Sequence, residues 1–135
     1  MKLQTFIDRH GIRIESERIA QRTCGGEDWN NTARHWRVTL YCGRRRMSLE
    51  FSQGSAHTEA PTAADVLSCL SMDASGIVNS RTFEEWAVVS GYDTDSRKAE
   101  GIYKACKRLT AKLREFLGED DFQFLCFTEW RRSKP

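Results

Sequence analysis

DSRKAEGIYKACKRLTAKLREFLG, residues 95–118, is the stretch that decides the fold. Its apolar side chains (Ala99, Ile102, Tyr103, Cys106, Leu109, Leu113, Phe116 and Leu117) recur at the three-and-four spacing of a single helix face. Thr94 or Asp95 offers an oxygen to cap the first turn, and Gly118 supplies the stop. The opposite face carries Arg97, Lys98, Lys104, Lys107, Arg108, Lys112 and Arg114, with Glu100 and Glu115 near its ends. Such a stripe is the ordinary solvated side of an amphipathic helix. A long helix with one apolar face needs a second layer to pack on.

The residues upstream supply that layer. Trp36, Val38, Leu40 and Cys42 alternate with Arg37, Thr39 and Tyr41, and Met47, Leu49 and Phe51 resume the apolar face after Gly43-Arg44-Arg45-Arg46. Period-two alternation on both sides of a glycine turn predicts a β-hairpin with one buried face. Residues 3–20 read as two more short strands around His10-Gly11. Leu3, Thr5 and Ile7 alternate before that turn, Ile12 and Ile14 after it, and the pattern slips before Ile19. Residues 24–32 (CGGEDWNNT) read as a loop, and residues 52–61 (SQGSAHTEAP) as turn chemistry.

Helical spacing then takes over. Pro61 or Thr62 opens a helix with Ala63, Val66, Leu67 and Leu70 on one face, ending around Gly76. Ser80 can cap a short helix carrying Phe83, Trp86, Ala87 and Ser90, which Gly91 stops. Residues 122–130 fit either a strand or a short helix, and residues 131–135 form a basic tail. The expectation is one α+β domain over residues 1–135. An antiparallel sheet of about four strands in the N-terminal half would pack against about three helices, the longest near 95–118.

Composition narrows the class. The chain is 39% hydrophobic and 30% charged, as globular proteins are. No run approaches the ~20 apolar residues of a membrane span, and MKLQTFIDRHG has no apolar signal core, so a cytoplasmic location is expected. Cys24, Cys42, Cys69, Cys106 and Cys126 are odd in number and lack close pairs, which argues against both a disulfide framework and a zinc knuckle. Cys42, Cys69 and Cys106 fall on apolar faces and read as small buried hydrophobes.

Catalytic signatures are missing. Neither GxxxxGK[ST] nor GxGxxG occurs. His10, His35 and His57 are isolated in the sequence and would serve a metal only by converging in space. Ser55, His57 and Glu59 alternate within a loop, without the rigid support that hydrolases give such groups. The sequence therefore predicts no enzyme, cofactor or metal.

Charge is more informative. Net charge is +2, but residues 1–50 hold 10 Lys/Arg against 6 Asp/Glu, so an anionic partner would favour the β half. Arg44, Arg45 and Arg46 at the hairpin turn, with Arg37, Tyr41, Arg34 and His35 nearby, could form a basic ribbon for DNA or RNA. The same arginines could simply keep an edge soluble and unpaired. Acidic residues gather at Asp93 and Asp95 and at Glu119, Asp120 and Asp121. Trp36 and Trp86 read as core, whereas Trp29 and Trp130 lie in segments where they could be partly exposed and so serve an interface.

Two segments carry a family resemblance: MSLEFSQGSAHTEAPTAADVLSCLSMDASG (47–76) and FEEWAVVSGYDTDSRKAEGIYKACKRLTAKLREFLGED (83–120). They resemble small proteins encoded by tailed phages and prophages, with Gly91-Tyr92-Asp93-Thr94-Asp95-Ser96-Arg97-Lys98-Ala99 the most distinctive piece. The resemblance runs from about residue 36 to residue 120 and brings no catalytic motif with it. It implies a phage accessory protein acting inside the host cell. Inhibition of a host defence protein or ribonucleoprotein complex, as by anti-CRISPR proteins, is the expected role by analogy. The expected contacts are Arg34, Arg37, Arg44, Arg45, Arg46, Asp93, Asp95, Glu119, Asp120 and Asp121. A nucleic-acid-binding protein of phage replication or regulation is the alternative.

Overall fold

The computed structural model describes residues 2–19, 34–54 and 59–127. Within them the elements run α1 (Leu3–His10), β1 (Arg13–Ile19), β2 (Arg34–Cys42), β3 (Arg45–Gln53), α2 (Ala63–Val78), α3 (Phe83–Ser90), α4 (Arg97–Leu117) and α5 (Glu119–Phe127). The class is α+β as expected. The sheet has three strands rather than four, and there are five helices rather than three, among the described residues.

Both extra helices come from segments that resist a simple periodic reading. Residues 3–10 are helical because Leu3, Phe6 and Ile7 then share one face, and Phe6 and Ile7 are buried. A strand would have turned Phe6 to solvent. Gly11 is therefore a helix stop and not a hairpin turn. It sits at φ 63°, and Ile12 N–H donates to Ile7 O at 3.0 Å, closing a Schellman motif with Ile12 buried beyond it. In α5, Phe122, Leu125 and Cys126 are buried at helical spacing, while Phe124 stacks on Phe6 at 5.5 Å between ring centroids.

The hairpin forms on the face the alternation predicts, but its turn is Gly43-Arg44 alone rather than residues 43–46, since Arg45 and Arg46 already pair with β2. Strand order is β1-β2-β3, all antiparallel, with Leu40 opposite Met47 and Val38 opposite Leu49. Val38, Leu40 and Met47 are buried on the inner face. Caps also fall close to the expected residues. Thr62 and Asp65 form a reciprocal capping box at α2. Thr82, not Ser80, caps α3, and Ser96, not Thr94 or Asp95, caps α4. Helix α2 runs through Gly76 rather than ending there.

Helix α4 joins two hydrophobic clusters. Leu113, Phe116 and Leu117 lie in the larger one with the sheet, α1, α2 and α5. Ala99 lies in a smaller one with Trp86 and Ala87, against which Ile102, Tyr103 and Cys106 pack. In that cluster Trp86 meets Tyr103 at 5.3 Å and Tyr92 at 5.4 Å. Between the two sets, the buried Thr110 donates its hydroxyl to Cys106 O at 2.7 Å. One continuous apolar face thus serves both clusters.

Two glycines of this region behave oppositely. Gly118 has φ 85° and ψ 159°, and a Cβ there would lie 3.4 Å from an Arg45 guanidinium nitrogen. Gly101 lies inside α4 at an ordinary φ, with open space where a Cβ would go. Gly118→Ala should lower stability by about 1–3 kcal/mol. Gly101→Ala should raise it by about 0.5–1 kcal/mol. Urea denaturation checks both signs, and a stabilising Gly118→Ala would contradict the backbone assignment.

Candidate binding site

A two-residue turn, Gly43-Arg44, joins β2 to β3, because Cys42 already pairs with Arg45. Gly43 has φ 62° and no other residue near the turn has a positive φ, which is the pattern of a type II′ turn. The three consecutive arginines are thereby separated. Arg44 stands at the tip. Arg45, opposite the inward-facing Cys42, reaches under the sheet toward Gly118. Arg46, opposite Tyr41, lies on the outer face.

Arg45 thus ends beside the C-terminus of α4, where the helix dipole favours a cation. A groove of about 530 Å³ opens there between β3 and α4, lined by Arg45, Arg46, Met47, Ser48, Lys112, Glu115 and Phe116. Met47 and Phe116 are buried and make its apolar floor. Among the described residues no ion pair joins Arg44, Arg45, Arg46 or Lys112 to a carboxylate. Glu115 is the one acid in the lining. The groove is therefore a cationic cleft with a hydrophobic base.

The other expected contacts lie elsewhere. Arg37 faces Glu17 at 3.7 Å on the outer sheet face, where Tyr41 donates to Glu15 at 3.3 Å and Arg13 covers the Tyr41 ring. Arg34 pairs with Gln53 at the far end of β2, roughly 25 Å from the turn at the rise of a strand. Asp93 accepts from Asp95 N–H at 3.0 Å, which shapes the turn entering α4. The length of α4 sets that turn roughly 30 Å from its other end. Glu119 is engaged by Arg114 at 2.9 Å, Asp121 faces His10 at 3.5 Å, and Asp120 is exposed. The ten expected contacts thus do not make one surface. Of them, Arg45 and Arg46 line the groove together with Lys112, and Arg44 stands beside it at the turn tip.

No family model, curated protein or solved structure matches the chain. The chemistry of the site therefore has to be read from its own residues. His10 and His35 stand at opposite ends of the sheet, since Cys42 Sγ contacts His10 O while His35 pairs with Ser52. Ser55, His57, Cys24, Trp29 and Trp130 lie outside the described residues. Among the described residues no group of three or more His, Cys, Asp or Glu is placed to hold a metal ion.

The cysteines depart from the expected burial. Cys126 is buried, Cys42 and Cys106 are half-buried, and Cys69 is exposed. Burial, and then the Asp73 carboxylate, push the Cys69 and Cys106 thiols above their ordinary pKa. A nucleophilic thiol needs the opposite shift. The Asp73 carboxyl is itself raised by desolvation, although the residue as a whole is exposed on α2.

Lys112 and Glu115 belong to the groove but read in sequence only as part of the solvated stripe of α4. Their position next to Phe116 and Leu113, at the border of the apolar face, was the available signal.

A raised carboxyl pKa means that folding favours the protonated form of Asp73, a preference lost as pH rises through the raised value. Asp73→Asn should therefore increase stability at neutral pH, with the gain vanishing below the ordinary aspartate pKa of about 3.9. It should also speed alkylation of Cys69 and Cys106, measured by mass spectrometry. Unchanged denaturation midpoints and alkylation rates would contradict this assignment.

Proposed function

We propose that the chain is a non-catalytic binding protein that covers an anionic site on a partner with the cleft between its arginine hairpin and α4. The observation that carries this reading is that Arg45, Arg46 and Lys112 line a cleft with an apolar floor and make no ion pair among the described residues, with Arg44 at the adjoining turn tip. Isolated surface cations are cheap to hydrate, whereas cations beside apolar surface gain more from an anion that displaces water from both. Within the setting implied by the resemblance to phage proteins, the partner is a host defence protein or ribonucleoprotein of the CRISPR–Cas kind, and occlusion is the mechanism. Arg37 and Arg34 are not assigned to this interface, nor are Asp93, Asp95 and the carboxylates at the start of α5.

Direct binding of DNA or RNA is the second reading, favoured by the exposure of Arg44 at a turn tip and of Arg46 on the outer strand face. It predicts an affinity that falls steeply with salt, because phosphate contacts release counterions.

The combined Arg44→Glu, Arg45→Glu, Arg46→Glu variant separates these possibilities. In cells carrying a CRISPR–Cas system, expression of the wild-type chain should restore phage plating, and the folded triple variant should not. Equal plating with both would overturn the assignment of the cleft. No restoration by the wild type would overturn the anti-defence role. Tight, salt-sensitive oligonucleotide binding that the triple variant loses would establish the second reading instead.

A further inference from the structure

The same cleft runs along a strand edge that pairs with no other strand among the described residues. β3 ends the sheet order β1-β2-β3 among the described residues. Cys42 and Arg45 flank a two-residue turn and so form a hydrogen-bonded pair. Alternation along an antiparallel ladder then directs the backbone groups of Arg45 and Met47 toward β2, and those of Arg46 and Ser48 away from it. The outward N–H and C=O groups of Arg46 and Ser48 thus open into the cleft whose other wall is Lys112, Glu115 and Phe116 of α4.

Resting on the binding role above, we propose that the cleft accepts an extended acidic segment of a partner protein as a fourth strand beside β3. Three observations converge on that occupant. The free backbone groups of Arg46 and Ser48 match the hydrogen-bond repeat of an added strand, about 4.8 Å away. The buried Met47 and Phe116 provide an apolar floor for alternate side chains. Arg45, Arg46 and Lys112 outnumber Glu115, so carboxylates in the added strand find cations. The cleft volume of about 530 Å³ is that of a ligand-sized cleft. Cationic residues on an edge discourage neutral or basic strands, including a second copy of β3, and by the same charge select an acidic one. Nucleic acid matches the charge but cannot continue the backbone ladder.

The test uses the full chain and a synthetic peptide of alternating glutamate and valine, about ten residues long. On saturation with the peptide, the Arg46 and Ser48 amides should gain about tenfold or more protection from hydrogen exchange. Ser48→Pro removes an outward N–H that β2 does not use, so it should weaken peptide binding about tenfold. Ser48→Ala, which loses the hydroxyl bonded to Thr39 Oγ1 at 3.0 Å but keeps the amide, should bind like the wild type. Peptide binding without amide protection and unaffected by Ser48→Pro would overturn strand addition. The cleft assignment would still stand if the triple arginine reversal abolished that binding. No peptide binding, or tighter binding of an oligothymidylate of equal charge without amide protection, would also overturn it. Should Ser48→Pro fail to fold, the exchange measurement on the wild type decides alone.

Discussion

The apolar face of α4 is the constraint on which the rest of the structure depends. It contributes residues to both hydrophobic clusters, Leu113, Phe116 and Leu117 to the larger and Ala99 to the smaller, and α2 supports it by reaching both through Ala74 and Ile77. Fully burying a side chain such as Leu113 or Phe116 stabilises by about 1.5–3 kcal/mol, so the C-terminal half of α4 is a large part of what holds the sheet to the helices. Its N-terminal half organises a separate aromatic group around Trp86. No membrane-spanning length of apolar helix competes with this use of the face among the described residues.

This constraint also sets the cleft. Gly118 ends α4 with a backbone conformation open essentially only to glycine, and the space left there admits the Arg45 guanidinium. The II′ turn at Gly43 then divides Arg44, Arg45 and Arg46 among tip, inner face and outer face. Three neighbours in sequence thus point in three different directions, and two of them, Arg45 and Arg46, line the groove. Lys112 and Phe116, more than sixty residues away in sequence, form the opposite wall.

Local patterns made much of the fold legible. The α4 face, the inward face of the hairpin, the helix start at residues 61–62 and the glycine stops at Gly91 and Gly118 all follow from rules that act within a few residues, whereas the tightness of the Gly43-Arg44 turn does not. Helix α1 was hidden because Leu3 and Ile7 satisfy period two and helical spacing alike, and Phe6 alone distinguishes them. Helix α5 was hidden because its phenylalanines serve different partners, Phe122 the main core and Phe124 the Phe6 ring. Gly76 reads as a stop, yet it continues α2, where the Trp86 indole lies 3.8 Å from its Cβ position. Of the candidate site, the arginines were visible in sequence. Their division, the loss of Arg34 and Arg37 to other surroundings, and the recruitment of Lys112 are tertiary facts that no local pattern encodes.

If α4 is the common support, the clusters at its two ends should open together. Native-state hydrogen exchange along the helix measures this directly. The amides of Ile102 to Cys106, beside Trp86, and of Leu113 to Leu117, beside the sheet, should report one shared opening free energy. An N-terminal half that opens with α3 at a distinctly lower free energy than the C-terminal half would contradict the account.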